Sequence, residues 1–207
     1  PSVEDGTIPP MKTRNNMTVK EAIEKSRSYR RFFQDHHIST EELHTIVNAA
    51  RLSPSGKNVQ PLKYYICNDP LRNEEIFATL GWAGYLKDWA GPEPGERPAA
   101  YIIQIHDKNI APGYLCDDGI SAQSMMLQAV ELGFGGCIIA TVKRETLSKI
   151  ISLPENMHII QVLAIGKPKE RVVIDTMENN DYKYWREPDG THHVPKRGLD
   201  EILLNKL

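Results

Sequence analysis

Cysteine is scarce. Three thiols, Cys67, Cys116 and Cys137, are spread over 207 residues, too few and too scattered for a disulfide framework, and no Cys-x-x-Cys or His-Glu-x-x-His pattern marks a zinc site. Excess charge of either sign is also lacking: the formal net charge is -2, which argues against a predominantly nucleic-acid-binding surface. No apolar run approaches the roughly 18 residues that cross a bilayer, so no membrane span is expected. What is present is ordinary for a folded chain, 40% hydrophobic and 25% charged. That balance argues against disorder, and the length suits one domain with a full hydrophobic core.

The chain begins at Pro1 rather than Met, which leaves room for an upstream segment, and the cytoplasm is the default expectation. Residues 1–17 mix Pro, Gly, Thr, Asn and charges and read as an extended arm. Two helices follow, each opened by capping-box spacing, Thr18 with Glu21 and Ser39 with Glu42. Leu43, Ile46, Val47 and Ala50 form one apolar helical face. Residues 53–61, with Pro54, Gly56 and Pro61, must be a loop. A strand is expected over 63–67, then a helix capped by Asp69 with Pro70 at its first position. Residues 81–98 carry Trp82, Tyr85 and Trp89 among Gly and Pro and read as a long ordered loop. A strand over 101–106 precedes a helix from about Asp118 to Gly133, with Ala122, Met125, Met126, Ala129 and Val130 on one face. A strand near 137–140, a helix around Leu147 and a strand over 158–165 complete an α/α/β/α/β/α/β/α/β order, which fits an α+β domain on a small central sheet. The tail from Gly166 is polar and cannot make its own core. Its Tyr182, Tyr184 and Trp185 imply that it is laid over another surface.

Arg27, Arg30 and Arg31 form the strongest cationic feature. Guanidinium groups bind phosphate bidentately, and cations also complement a helix C-terminus, so charge alone allows a ligand site or a solvated helix end. Residues 133–136 end a helix and open a strand, the reverse of a dinucleotide fingerprint, and read as a helix cap. The pairs His36-His37 and His192-His193 are poor chelators, because adjacent side chains diverge on a helix or strand. No Gly-x-Ser-x-Gly appears, and neither Cys116 nor Cys137 has the local signature of a nucleophile.

In combination these pieces resemble the nitroreductase family of flavoproteins. Residues 27–32, Arg-Ser-Tyr-Arg-Arg-Phe, are similar to its Arg-Ser-x-Arg signature. Residues 50–61 are similar to its Ala-x-x-(Ala/Ser)-Pro-Ser-x-x-Asn-x-Gln-Pro signature. Residues 118–123 and 132–137, followed by 164–168, resemble its central helix, glycine turn and closing strand, and residues 194–202 its basic C-terminal segment. The pattern departs at Ser26, where many members have a second arginine, at Leu62, where Trp is common, and in a longer tail over 166–194.

The resemblance implies a three-layer α+β fold, a small central sheet flanked by helices, in an intertwined homodimer with an extended C-terminal arm, 167–207, on a single domain over 18–207. It implies FMN at the subunit interface, reduced by NADH or NADPH and reoxidised by a small-molecule acceptor such as a nitroaromatic or quinone, in ping-pong order. Arg27, Arg30, Lys196 and Arg197 would supply charge to the phosphate, one of them standing near N1 and O2. Ser28 and Gln123 would hydrogen-bond the cofactor, and Pro54, Ser55, Gly56 and Asn58 would come from the partner. The Gly135-Gly136 turn would let the strand at Ile139 and Ala140 pass close to the flavin and give a backbone N–H toward N5. No catalytic side chain or metal is expected, since a flavin does the redox chemistry. The same scaffold also suits dehalogenation, flavin fragmentation or a flavin-binding module without turnover.

Overall fold

The computed structural model describes residues 17–205. The expected N-terminal arm therefore lies outside the described residues, apart from Met17. Both capping boxes form. In α1 (Val19–Lys25) Thr18 Oγ1 accepts the Glu21 N–H at 3.2 Å and the Glu21 carboxylate accepts the Thr18 N–H at 2.7 Å. Ser39 and Glu42 do the same at 3.2 and 2.8 Å ahead of α2 (Thr40–Leu52). Each box satisfies backbone donors that a helix end otherwise leaves to water.

The central sheet is antiparallel throughout. It runs β2 (Leu62–Cys67), β3 (Ala100–Asp107), β5 (Met157–Pro168), β4 (Gly135–Ile139), and a two-residue β1 (Phe32–Phe33) pairs with the end of β5. Every residue of β3 is buried because helices cover both faces. Ala100 and Ile102 face a core shared with α2 and with Met125, Met126 and Ala129 of α4 (Asp117–Glu131). Tyr101, Ile103 and Ile105 face a second core with Ile76 of α3 (Pro70–Phe77) and Leu147 of α5 (Arg144–Ile150). This is the expected small sheet flanked by helices.

The tail differs from an extended arm. β6 (Val172–Thr176) pairs in parallel with β8 (His192–Lys196), and β7 (Trp185–Arg186) pairs antiparallel on the other side of β8; α6 (Leu199–Ile202) follows. This small sheet is laid on the 81–98 loop of the same chain. Tyr184 packs on Tyr85 with ring centroids 5.0 Å apart, and the Arg186 guanidinium sits 4.5 Å over the Trp89 ring. Aromatic side chains of the tail thus find apolar partners without a core of their own.

Candidate active-site cleft at the edge of β4

Ser28 and Tyr29 run along the outer edge of β4 before Phe32 joins β5. Ser28 bridges Gly136, and the Tyr29 N–H donates to the Gly136 carbonyl at 3.0 Å. Glycine is required here for packing. A Cβ on Gly136 would collide with the Ala164 carbonyl oxygen, one on Gly135 would enter the Tyr29 ring, and one on Gly166 the Phe32 ring. The glycine turn therefore seats the arginine signature on the sheet. Gly133, at φ +85°, ends α4, with Phe134 N–H donating to Ala129 O at 2.8 Å, as a helix C-cap requires.

Because the Gly136 carbonyl points outward, alternation along an antiparallel strand turns the N–H and C=O of Ile138 outward too, while Ile139 turns its polar backbone toward β5. Farther along, the edge closes again where Gly81 N–H donates to Thr141 O at 2.9 Å. Between the two closures lies a cleft of about 270 Å³ lined by Arg30, Trp82, Ile138, Ile139, Ala140 and Tyr184, with Cys137 and the glycines 81 and 84. Burial pushes the Cys137 thiol up to about 12, so it is no thiolate at neutral pH.

The three signature arginines divide. Arg31 is committed to Glu96, with Nε to Oε2 at 2.5 Å and Nη2 to Oε1 at 2.7 Å. No carboxylate of the described residues lies within ion-pair distance of the Arg27 or Arg30 guanidinium. Arg27 donates Nη2 to Ile23 O at 2.7 Å, and its buried Nε has no partner among the described residues. Arg30 lies 4.8 Å from the Tyr184 ring centroid and donates Nη1 to Ser28 O at 3.3 Å. Two unpaired guanidinium groups, one lining a cleft with open backbone donors, make a place suited to an anionic, flat ligand.

The other expected residues lie elsewhere in the protomer. Asp117, buried at the start of α4, accepts Ser55 Oγ at 2.6 Å and the Gly56 N–H at 2.8 Å. Pro54 and Ser55 border a second cavity, of about 380 Å³, with Gln60, Tyr64 and Asp117. Asn58, at φ +57°, uses its carbonyl and side chain to hold the Gln60 amide. Ser28 and Gln123 are exposed. Lys196 ends β8 away from its His192 end, and Arg197, the next residue, donates to Asn180 Oδ1 at 2.7 Å. The cleft of one protomer thus joins Arg30, Ile139 and Ala140, with Gly136 beside it at Ser28, and residues 54–58 and 196–197 are not among its lining. Sequence reasoning missed two residues here. Glu170 accepts the backbone N–H groups of both Arg30 and Arg31, and His192 lies against Arg30. A glutamate in a polar tail carries no signal, and His192 was visible only as half of a His-His pair.

Comparison with known proteins gives the family. The model of the Nitroreductase family matches residues 23–167. The chain belongs to the nitroreductase family. A relative from Methanothermobacter thermautotrophicus, 27% identical over 163 residues, 75% of this chain and 80% of that protein, carries NAD(P)H nitroreductase in its name. An FMN reductase (NADPH) from Bacillus subtilis is 23% identical over 167 residues, 74% of this chain and 66% of that protein. Among solved structures, a nitroreductase family protein from Clostridium novyi superposes with a TM-score of 0.62 at 21% identity, covering 74% of this chain and 88% of that one. An FMN-dependent nitroreductase from Clostridium difficile does so at 0.59 and 22%, covering 81% and 97%. The match ends at residue 167, so the tail sheet that supplies Tyr184 and His192 lies beyond it. No helix among the described residues is long and apolar enough to cross a membrane.

Proposed function

We propose that this nitroreductase-family chain is an FMN-dependent oxidoreductase that passes hydride from NADH or NADPH to a small-molecule acceptor of the nitroaromatic or quinone class. The observation that carries the reading is the cleft at Ile138, where Arg30, free of any carboxylate among the described residues, faces an outward-turned stretch of strand backbone. The residues present fit FMN. The orphaned Arg27 Nε and the unpaired Arg30 suit a phosphate or the electron-rich pyrimidine edge of a flavin, and Trp82 and Ile139 offer apolar surface to a ring. When bound, FMN supplies the two-electron carrier between nicotinamide and acceptor.

This chain's own residues bind and orient. Arg30 favours negative charge at the ring edge. The Ile138 N–H is a fixed donor aimed out of the sheet, and Tyr184 lines one side of the cleft. With the Cys137 thiol held protonated and no carboxylate or histidine lining the cleft among the described residues, no side chain is assigned a proton-transfer role. Pro54, Ser55, Gly56 and Asn58 do not line this cleft within one protomer, so if they hold the flavin they do so from a second copy, in a homodimer. An apolar groove of about 730 Å³ between α1, α2 and α4, bordered by Val19, Leu52 and Leu127, supports the same assembly.

Absorbance of the purified protein tests the reading. A flavin spectrum bleached anaerobically by NADH or NADPH, with colour restored by a quinone or nitroaromatic, is expected. A protein that takes up no FMN on reconstitution overturns it, and a yellow protein that neither nicotinamide bleaches is a binding module.

A further inference from the structure

His192 opens β8, the strand that follows the tail's aromatic turn, and it is 0% exposed. Its Nε2 lies 3.2 Å from Arg30 Nη1. Arginine only donates, so a hydrogen bond here makes Nε2 the acceptor and puts the proton of a neutral imidazole on Nδ1, a buried atom with no partner among the described residues. Tyr184 closes the arrangement from the cleft side, its ring 5.1 Å from the His192 ring and 4.8 Å from the Arg30 guanidinium carbon. Arg30 is thereby gripped by an uncharged acceptor and an aromatic face. A carboxylate at the same place would hold the side chain equally well but would cancel the positive charge that the cleft presents.

We infer that His192 is the positioning residue for Arg30, a neutral acceptor that aims the guanidinium into the cleft while leaving its charge for the ligand. The inference rests on the FMN reading only for the identity of that ligand. Burial first, then the charges of Arg30, Arg186 and His193, hold the imidazole down to about 4. It is therefore an acceptor at neutral pH. The device belongs to the tail sheet, beyond the stretch that the family model matches.

The test uses the protein of 207 residues and three variants, His192→Leu, His192→Gln and Arg30→Gln, with the Arg30→Gln/His192→Leu double variant. FMN affinity of the apo-protein, read by flavin fluorescence at pH 7, is expected to fall roughly tenfold in His192→Leu, the scale of one hydrogen bond to a charged group. Gln, whose amide oxygen replaces Nε2, is expected to restore it to within about twofold. The double variant is expected to bind no more weakly than Arg30→Gln alone, since His192 acts through Arg30. Long-range ¹H–¹⁵N spectra of the apo-protein are expected to show His192 in the Nδ1-protonated tautomer. Unchanged affinity in His192→Leu, additive losses in the double variant, or an Nε2-protonated ring overturns the inference. If the wild-type protein takes up no FMN, the proposed function fails, and the tautomer still decides the Arg30–His192 contact. Should His192→Leu not fold, the Gln variant and the tautomer decide.

Discussion

Arg186 donates Nη2 to Oε2 of Glu170 at 2.9 Å, and the Glu170 side chain is wholly shut off from solvent. The same carboxylate accepts the Arg30 and Arg31 backbone N–H groups through its other oxygen. One buried glutamate thus ties the tail sheet to the arginine signature. Glu170→Ala leaves Arg186 without its partner and is expected to cost about 3 kcal/mol or more, the range for breaking a buried pair. Urea denaturation followed by far-UV circular dichroism measures it. A loss below about 1 kcal/mol would show that the carboxylate does not anchor the tail.

Glycines along β4 and its approach are not equivalent. Gly136→Ala puts a methyl group on the Ala164 carbonyl oxygen, a backbone atom that cannot swing aside. It is expected to destabilise by about 1–3 kcal/mol, as overpacking does. Gly84→Ala meets nothing within 4 Å and is expected to lie within about 0.5 kcal/mol of wild type. Thermal melts of the two variants, run side by side, check the contrast.

Glu96 carries a pH dependence. The hydrogen bonds from Arg31, working against burial and aided by Lys169, hold its carboxyl down to about 2 from an ordinary 4.5. A folded-state value below the unfolded one means the stabilisation is complete above about pH 4.5 and is lost as pH falls toward 2. Glu96→Gln is expected to flatten that part of the stability curve and to lower stability at pH 7. Denaturation free energies between pH 2.5 and 7 for both proteins check the sign.

The signature arginines are expected to separate by phenotype. Arg27→Gln and Arg30→Gln each lose a charge without a carboxylate partner among the described residues and should weaken FMN binding by roughly tenfold or more with little change in melting temperature. Arg31→Gln breaks the Glu96 pair and should lower stability while leaving affinity nearly unchanged. Flavin fluorescence titrations paired with thermal melts distinguish them.

Much of the frame was legible because it rests on local rules. The Thr18–Glu21 and Ser39–Glu42 boxes announce α1 and α2 by spacing, and Asp69-Pro70 announces α3. The core strands followed from composition. β1 was hidden, since a two-residue strand has no period to detect and exists only because Phe32 and Phe33 meet Pro168 and Lys167. The tail sheet was hidden for a different reason. β6 and β8 pair in parallel across some twenty residues, a contact that neither segment's own pattern encodes. For the cleft, Arg30 and the glycine turn could be read from sequence, but the division of Arg27 and Arg30 from Arg31 depends on Glu96, 65 residues away.

The short opening in the edge of β4 also bears on how copies of this chain keep apart. An uncovered strand edge is a template on which another strand can be added, the first step toward aggregation. Here the edge is shut by Ser28 at Gly136 and by Gly81 at Thr141, and the exposed stretch between them is too short to register a foreign strand. The backbone groups at Ile138 are left accessible to a small molecule and denied to a polypeptide.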